Sequence, residues 1–346
     1  MVQRVGQRAA SVQQLLLSLV MAETELCFPE LFNTSCRRPK RPYFENMMIY
    51  ILPSSISLLT VILNLLVIIS IAHFRQLHTT TNLLLLSLAV SDFFVGILMF
   101  FQIVIIDGCW FLGDLMCTVY QYLGYIITSA SIGTMVIISI DRYVGICYPL
   151  HYSSKITIQR VQMCICLCWI FSVVFQSLVL HDVLKQPGGF KSCFGECVIV
   201  INYIAGLFDL VFSFIAPITV IVLLYVRVFV VAVSQARIMR SQLAPVRLQK
   251  SVTVNVKKSE LKAARTLGVV VLVFLICMCP FYCVALTGED SVLSSSSGAF
   301  VICLFYFNSC LNPIIYAFFY PWFRKSIKLI VTFQILQPDS CEANML

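Results

Sequence analysis

The stretch Asn308-Ser309-Cys310-Leu311-Asn312-Pro313-Ile314-Ile315-Tyr316-Ala317-Phe318-Phe319-Tyr320-Pro321-Trp322-Phe323-Arg324-Lys325 decides how the chain is read. It closes a long apolar run, yet Asn308, Ser309 and Asn312 are polar groups at a depth where an unsatisfied donor or acceptor costs several kcal/mol. Their helical spacing puts them on one face, which is expected to look inward at partners on other helices. A spanning helix that merely tolerates polar residues would not need them to share a face. Pro313 removes a backbone donor and frees the carbonyl one turn earlier, which predicts a kink. Beyond Tyr320-Pro321 the sequence turns amphipathic and basic through Trp322, Phe323, Arg324, Lys325 and Lys328, the pattern of a short helix lying at a membrane interface.

The rest of the chain agrees with a membrane setting. Its 346 residues are 60% hydrophobic and 12% charged, with mean hydropathy +0.92. The charged fraction is about half that of a soluble domain. Apolar runs of about 20 residues are long enough to span a bilayer. Seven occur, near 48–72, 82–106, 115–147, 161–181, 198–230, 263–286 and 299–320. The expected fold is an all-α membrane protein, a seven-helix bundle followed by a short amphipathic eighth helix. Residues 1–46 would form an extracellular N-terminal segment, 47–320 the transmembrane domain, and 321–346 the amphipathic helix and cytoplasmic tail.

Orientation follows from the loops. Those after runs two, four and six carry only Lys185 and Lys191 as basic residues. Those after runs one, three and five carry Arg75, Lys155, Arg160 and the dense set Arg237, Arg240, Arg247, Lys250, Lys257, Lys258, Lys262 and Arg265. The positive-inside bias puts the N-terminus outside and the C-terminus in the cytoplasm. The cluster Arg37, Arg38, Lys40 and Arg41 runs against this and is outvoted by seven spans. The net charge of +8 is thus mostly a topology signal, and no basic surface with aromatic readers suggests nucleic-acid binding.

Sixteen cysteines look like a disulfide framework until they are placed. Cys164, Cys166, Cys168, Cys277, Cys279, Cys283, Cys303 and Cys310 fall inside apolar runs and read as small core hydrophobes. Cys27, Cys36, Cys117, Cys193 and Cys197 fall on the outer side, where oxidation is allowed, with Cys109 near it. No Cys/His spacing suggests zinc. Residues 1–20 hold a short Leu-rich patch, and Met21-Ala22-Glu23 resembles a natural start, so this segment reads as an upstream extension or a marginal signal peptide. Asn33-Thr34-Ser35 is a glycosylation sequon.

Three polar marks inside the runs point to function. Asn64 stands alone among Leu, Val and Ile. Asp92, in Leu88-Ala89-Val90-Ser91-Asp92, is a carboxylate near mid-membrane, which is costly and marks function by default. The alternative is a protonated structural Asp bonded to Ser and Asn neighbours. Run three ends Asp141-Arg142-Tyr143; the pair could be a surface ion pair worth little, or a lock that a partner opens.

Together, Asn64, Leu88 to Asp92, Cys117, Asp141-Arg142-Tyr143, Trp169, Pro217, Tyr225, Phe274, Cys277, Pro280 and Asn312-Pro313-Ile314-Ile315-Tyr316 resemble the rhodopsin-type (class A) G-protein-coupled receptors over residues from about 45 to 330. The opening stretch narrows this. Asn-Ser-x-x-Asn-Pro-x-x-Tyr-x-x-x-Tyr-x-Trp-Phe resembles the fingerprint of the trace amine-associated receptors, with every fixed position present. Cys193-Phe194-Gly195-Glu196-Cys197 resembles that family's second outer loop. The resemblance implies a Cys117–Cys197 disulfide, and a bond from Cys193 to the N-terminal segment, at Cys27 in the first place, with Cys36 the other candidate. It implies that Asp92, Ser131, Asn308 and Ser309 hold an allosteric sodium ion, a hard cation suited to oxygen ligands. No other cofactor is implied. Asp141, Arg142, Tyr143, Tyr225, Asn312, Pro313 and Tyr316 would rearrange on activation to admit a heterotrimeric G protein, with Lys257 to Arg265 and Arg324-Lys325 nearby.

The ligand site departs from the family. Aminergic receptors carry an Asp seven residues after the run-three cysteine, and here that position is Gly124. Asp209, eight residues before Pro217, or about 12 Å along a helix, takes its place. A carboxylate in that run needs a partner, and a ligand cation fits; some fish members of the family resemble this arrangement. Phe212, Ser213 and Ala216 are expected on the same face, with Phe281, Tyr282 and Tyr306 as a cation–π wall and Tyr125 and Thr128 beside the space left by Gly124. The alternatives are a water-exposed Asp209 without a ligand role, or Glu196 as anchor. The family's Cys-Trp-x-Pro reads Cys277-Met278-Cys279-Pro280, which puts its usual activation toggle in doubt. The expected function is a plasma-membrane receptor for a small amine, of olfactory type, raising cAMP through a stimulatory G protein; the runner-up is a class A receptor for a non-amine small ligand. A transporter would show inverted repeats and a retinal sensor a Lys in run seven, and neither occurs. No nucleophile–base set suggests an enzyme.

Overall fold

A computed structural model describes residues 25–38, 43–189, 191–242, 268–284, 286 and 296–345. The chain forms helices α1 (Tyr43–His73), α2 (Thr80–Asp107), α3 (Gly113–Cys147) and α4 (Ile158–Val179). Then come α5, from Tyr203 to Gln242, α6 (Gly268–Val284), α7 (Ser296–Phe319) and α8 (Pro321–Val331). Six of them are long and apolar enough to cross a membrane, and α6 is a shorter apolar helix. Lys40, Arg41, the basic segment from Arg247 to Arg265, and residues 1–20 lie outside the described residues.

Local chemistry fixes the helix ends. The Thr79 and Thr157 hydroxyls accept from the backbone N–H groups of Asn82 and Arg160, capping α2 and α4. Pro321 sits in the first turn of α8, where its missing N–H costs nothing. Arg324 donates to the carbonyls of Ala317 (2.8 Å) and Phe318 (3.0 Å), so α8 caps the last turn of α7.

Run five needs correction. Residues 198–201 are apolar but not helical; α5 starts only where the Asn202 side chain accepts from the Ile204 N–H. It then runs past 230 to Gln242. Its regular turns, Tyr203–Asp209 and Ala216–Gln242, are separated by a wider π turn, Leu210–Ile215. Pro217 follows at once: it has no N–H to give, and its ring crowds the carbonyl four residues back, which favours a widened turn there.

The bundle is organised on α2 and α3, each of which buries more residues than any other helix described, whereas α4 and α5 lie at its edge with Ile170, Leu178, Leu223 and Phe229 turned outward. Apolar side chains on that surface suit a hydrocarbon solvent. Close approach relies on small residues. A Cβ on Gly96 would sit 2.9 Å from Val61 Cγ2, and one on Gly133 would sit 2.4 Å from Cys168 Sγ. Buried polar groups are tied across helices. Asn64 donates to the Ser309 carbonyl at 3.0 Å, and the Trp169 indole donates to Ser87 at 3.2 Å. Phe274, Met278, Tyr316 and Phe323 fill the core between these ties.

At one end of the bundle the N-terminal segment is fastened down. Disulfides join Cys117 to Cys197, Cys36 to Cys193 and Cys27 to Cys109. This corrects the Cys27–Cys193 expectation: Ser35 bridges Phe194 as a short parallel strand contact, which brings Cys36 to Cys193. Cys27 is left to meet Cys109, whose position near the outer side gave only a weak sequence signal. Arg38, one of the basic residues that opposed the topology rule, is neutralised by Asp107 at 2.6 Å and Glu25 at 3.7 Å, with the Tyr50 hydroxyl on the same Asp107 carboxylate. Asn33 is exposed.

Candidate functional site

A cavity of about 710 Å³ opens towards the disulfide-bearing end, between α3, α4, α5, α6 and α7. All seven residues expected to bind a ligand line it: Asp209, Ser213, Tyr125, Thr128, Phe281, Tyr282 and Tyr306. They come from four helices, Tyr125 and Thr128 from α3, Asp209 and Ser213 from α5, Phe281 and Tyr282 from α6 and Tyr306 from α7, and the π turn begins between the α5 pair. Ser213 is buried in the wall and donates to Asp209 Oδ1 at 2.7 Å. Phe212 and Ala216, expected beside it, instead face outward, and Phe212 stacks on Phe208 at the bundle edge. A wider turn rotates residues after Asp209 away from simple α-helical spacing, which is why the expected face was wrong for these two.

Asp209 is held but not neutralised. Gln176 of α4 donates to the same Oδ1 at 2.9 Å, and no Lys or Arg lines the cavity among the described residues. Asp209 is also the one carboxylate among them. Glu196, the alternative anchor, does not line the cavity; its carboxylate takes the Ser192 N–H and hydroxyl within the loop, at 2.8 and 2.7 Å. Gly124 leaves real space: a Cβ there would meet nothing within 4 Å. The aromatic wall is ordered by stacking, with Tyr282 lying 3.8 Å from Phe214 and nearly parallel to it, and Phe281 packed on Phe305 at 4.8 Å. Joined to it through Tyr306 is a neutral polar group that sequence reasoning missed. The Tyr120 hydroxyl donates to Gln102 Oε1 at 2.5 Å and meets the Tyr306 hydroxyl at 3.3 Å. Gln102 and Gln176 are lone amides in apolar runs, and that was the available signal.

Deeper in the bundle lies a second polar site. Asp92, Ser131, Asn308, Ser309 and Asn312 are all buried, and Asn312 donates to Asp92 Oδ2 at 2.8 Å. Asp92 Oδ1, the Asn312 and Asn64 amide oxygens, and both polar atoms of Asn308 have no hydrogen-bond partner there. Oxygens gathered round one carboxylate with unmet polar capacity fit a small hard cation or water.

At the far end Arg142 pairs with the adjacent Asp141 and donates to Thr81, while the Tyr152 hydroxyl donates to Asp141 Oδ1 at 2.8 Å. Burial first, and then the neighbouring Asp141, hold the Tyr152 phenol above its usual pKa, so it stays a donor. Tyr143 packs beside Ile146 and Val228. The hydroxyls of Tyr225, Tyr316 and Tyr320 are buried without partners, and Tyr225 and Tyr320 are close enough to feel the Arg142 charge. Pro313 lies inside α7 next to the Asn312 bond. Met278, at the position of the usual toggle, is buried in the core and does not line the cavity.

Residues 63–316 match the model of the 7 transmembrane receptor (rhodopsin family). The chain is 35% identical to trace amine-associated receptor 13c of Danio rerio over 331 residues, covering 93% of this chain and 96% of that one. It is 34% identical to trace amine-associated receptor 4 of Mus musculus over 333 residues, with the same shares covered. To trace amine-associated receptor 9 of Rattus norvegicus it is 37% identical over 333 residues, covering 93% and 97%.

Proposed function

Because the chain belongs to the rhodopsin-type seven-transmembrane receptors, and among them to the trace amine-associated receptors, we propose that its ligand is a small amine whose ammonium group pairs with Asp209. It is a G-protein-coupled receptor and not an enzyme, a multi-pass plasma-membrane protein with a heterotrimeric G protein as its partner. The observation that carries the amine reading is the cavity. Among the described residues its one carboxylate has hydrogen-bond donors but no cation, and tyrosine and phenylalanine rings stand round it.

The mechanism is a population shift. An amine at Asp209 favours the arrangement in which Arg142 leaves Asp141 and Thr81 and turns towards the unpaired tyrosine hydroxyls, opening a groove for the G protein. We assign coupling to a stimulatory, olfactory-type G protein, with the N-terminus outside; the three disulfides at the cavity end and the exposed sequon at Asn33 support that orientation. Staining an N-terminal epitope on intact cells reads it directly. A sodium ion held by Asp92, Ser131, Asn308 and Ser309 would stabilise the resting arrangement, and Asp92→Asn would then remove any sodium dependence of basal signalling.

The test is cAMP accumulation in transfected cells against primary, tertiary and diamine ligands, with Asp209→Ala alongside. Loss of every response in a variant that reaches the surface supports the reading; a response indifferent to Asp209→Ala refutes it. The second reading, a non-amine small ligand, is favoured by the neutral Gln102–Tyr120–Tyr306 group and by Gly124. It predicts silence from the whole amine panel.

A further inference from the structure

We propose that the side of the cavity between α2, α3 and α7 is a site for a neutral hydroxyl, formed by Gln102 and Tyr306 through Tyr120. The ligand class is then an amino alcohol, its ammonium at Asp209 and its hydroxyl at Gln102, taken above alkylamines and above diamines; this rests on the amine reading above. Gln102 of α2, Tyr120 of α3 and Tyr306 of α7 line the same cavity as Asp209 of α5. Among the described residues no hydrogen bond links the two polar groups. Gly124 lies one turn along α3 from Tyr120, about 6 Å on the same face, and puts no side chain between them.

Bond direction follows from distance. The Tyr120 hydroxyl lies 2.5 Å from Gln102 Oε1, a separation found for O–H···O bonds and shorter than N–H···O bonds reach. The amide oxygen therefore faces Tyr120, and since it has no proton to give, Tyr120 is the donor. With its proton committed there, Tyr120 can only accept from the Tyr306 hydroxyl, 3.3 Å away. The chain runs one way, from Tyr306 through Tyr120 to Gln102. Its middle member is buried, with the Phe101 ring 5.7 Å and the Trp110 ring 6.0 Å from its own. Both ends stay open. Gln102 is half-buried, its Nε2 keeps accessible surface, and no described residue accepts from it. Tyr306 is half-buried too, and its oxygen donates without accepting. An amide nitrogen without an acceptor in an apolar run is a cost that a ligand oxygen relieves. A hydroxyl accepts from Gln102 Nε2 and has a proton to return to the Tyr306 oxygen. A methyl group answers neither end. A second ammonium brings only donors to Nε2, and Asp209 is the one carboxylate lining the cavity among the described residues, so that charge is desolvated without a counter-ion.

The experiment uses the full chain in a cAMP assay with three matched series of increasing length. These are ω-amino alcohols, the alkylamines with methyl in place of hydroxyl, and the α,ω-diamines. Wild type, Gln102→Leu and Asp209→Ala are compared at equal surface staining. In wild type the amino alcohol should lead its methyl counterpart by about fivefold or more at the length that spans both sites, the net worth of one neutral hydrogen bond. The diamine of that length should trail the alcohol. Gln102→Leu should abolish the alcohol's lead. Equal weakening of alcohol and alkylamine, with the lead kept, would mean that Gln102 only shapes the wall, and overturns the inference. So does a diamine that outranks the alcohol, or the absence of any length at which the alcohol leads. Should the Leu variant fail to reach the surface, that wild-type order decides alone. Amine responses that survive Asp209→Ala, or no amine response at all, would instead bring down the underlying reading, and this one with it.

Discussion

Gly124→Asp puts a second carboxylate into the cavity at a position where the structure shows room for it. A Cβ there meets nothing within 4 Å, so the substitution needs no displacement of the wall, and the variant should fold and reach the surface. Two opposite charges about 4 Å apart, at an effective dielectric of about 20, attract by about 4 kcal/mol. The added carboxylate must be desolvated, and at position 124 it lacks the Gln176 and Ser213 donors that support Asp209. We therefore expect about 1.5–3 kcal/mol net, the range of a charge-assisted hydrogen bond, or about 10- to 150-fold in potency for a ligand that can reach both acids. That ligand is a diamine. The assay is a cAMP dose–response for diamines of increasing chain length and for their monoamine counterparts, reported as the ratio between the two. The ratio should rise by that factor in the variant at the chain length that spans the two carboxylates, and fall back when Asp209→Ala is added. A ratio unchanged at every length, in a variant at normal surface level, would refute the placement of Gly124 and Asp209 in one ligand site.

Other consequences are equally direct. Non-reduced peptide mapping should recover Cys27 with Cys109 and Cys36 with Cys193, and a Cys27–Cys193 peptide would contradict the structure. Losing the Cys27–Cys109 bridge should cost about 2–5 kcal/mol, with the double Ser variant no worse than either single one. Gly133→Ala should lower the melting temperature of detergent-solubilised protein, costing about 1–3 kcal/mol, because its Cβ meets Cys168 Sγ at 2.4 Å; Cys168→Ala should restore it. Tyr152→Phe removes a donor to Asp141 worth about 1 kcal/mol. Ligand-independent cAMP should rise several-fold at matched surface level, and unchanged basal signalling would mean that this bond does not hold the resting state.

What the sequence made legible follows from what carries a signal in one dimension. The apolar runs announced the spans because lipid imposes a minimum length, and the polar face at Asn308, Ser309 and Asn312 announced a buried site because helical spacing is regular. The seven cavity residues could be named because the family resemblance said where a ligand site lies, and Cys117 and Pro217 gave the positions from which to count. The π turn could not be read, since one extra residue in a helix leaves the apolar pattern unbroken, and that is why Phe212 and Ala216 were turned the wrong way. The disulfide partner of Cys193 depended on how a short outer segment crosses a loop, which spacing does not encode. Gln176 was one amide in an apolar run until α5 was seen beside it.

The widened turn Leu210–Ile215 has a consequence for how such a receptor can change over generations. A helix that already absorbs one surplus residue has a length that can be adjusted at that place, so an insertion or deletion there would re-aim Asp209 by a fraction of a turn while the cytoplasmic half of α5 kept its contacts with α3. Specificity in this lineage could then shift by the gain or loss of a codon rather than by exchange of a side chain. Positions counted upstream from Pro217 would correspond between relatives only where the turn has the same width.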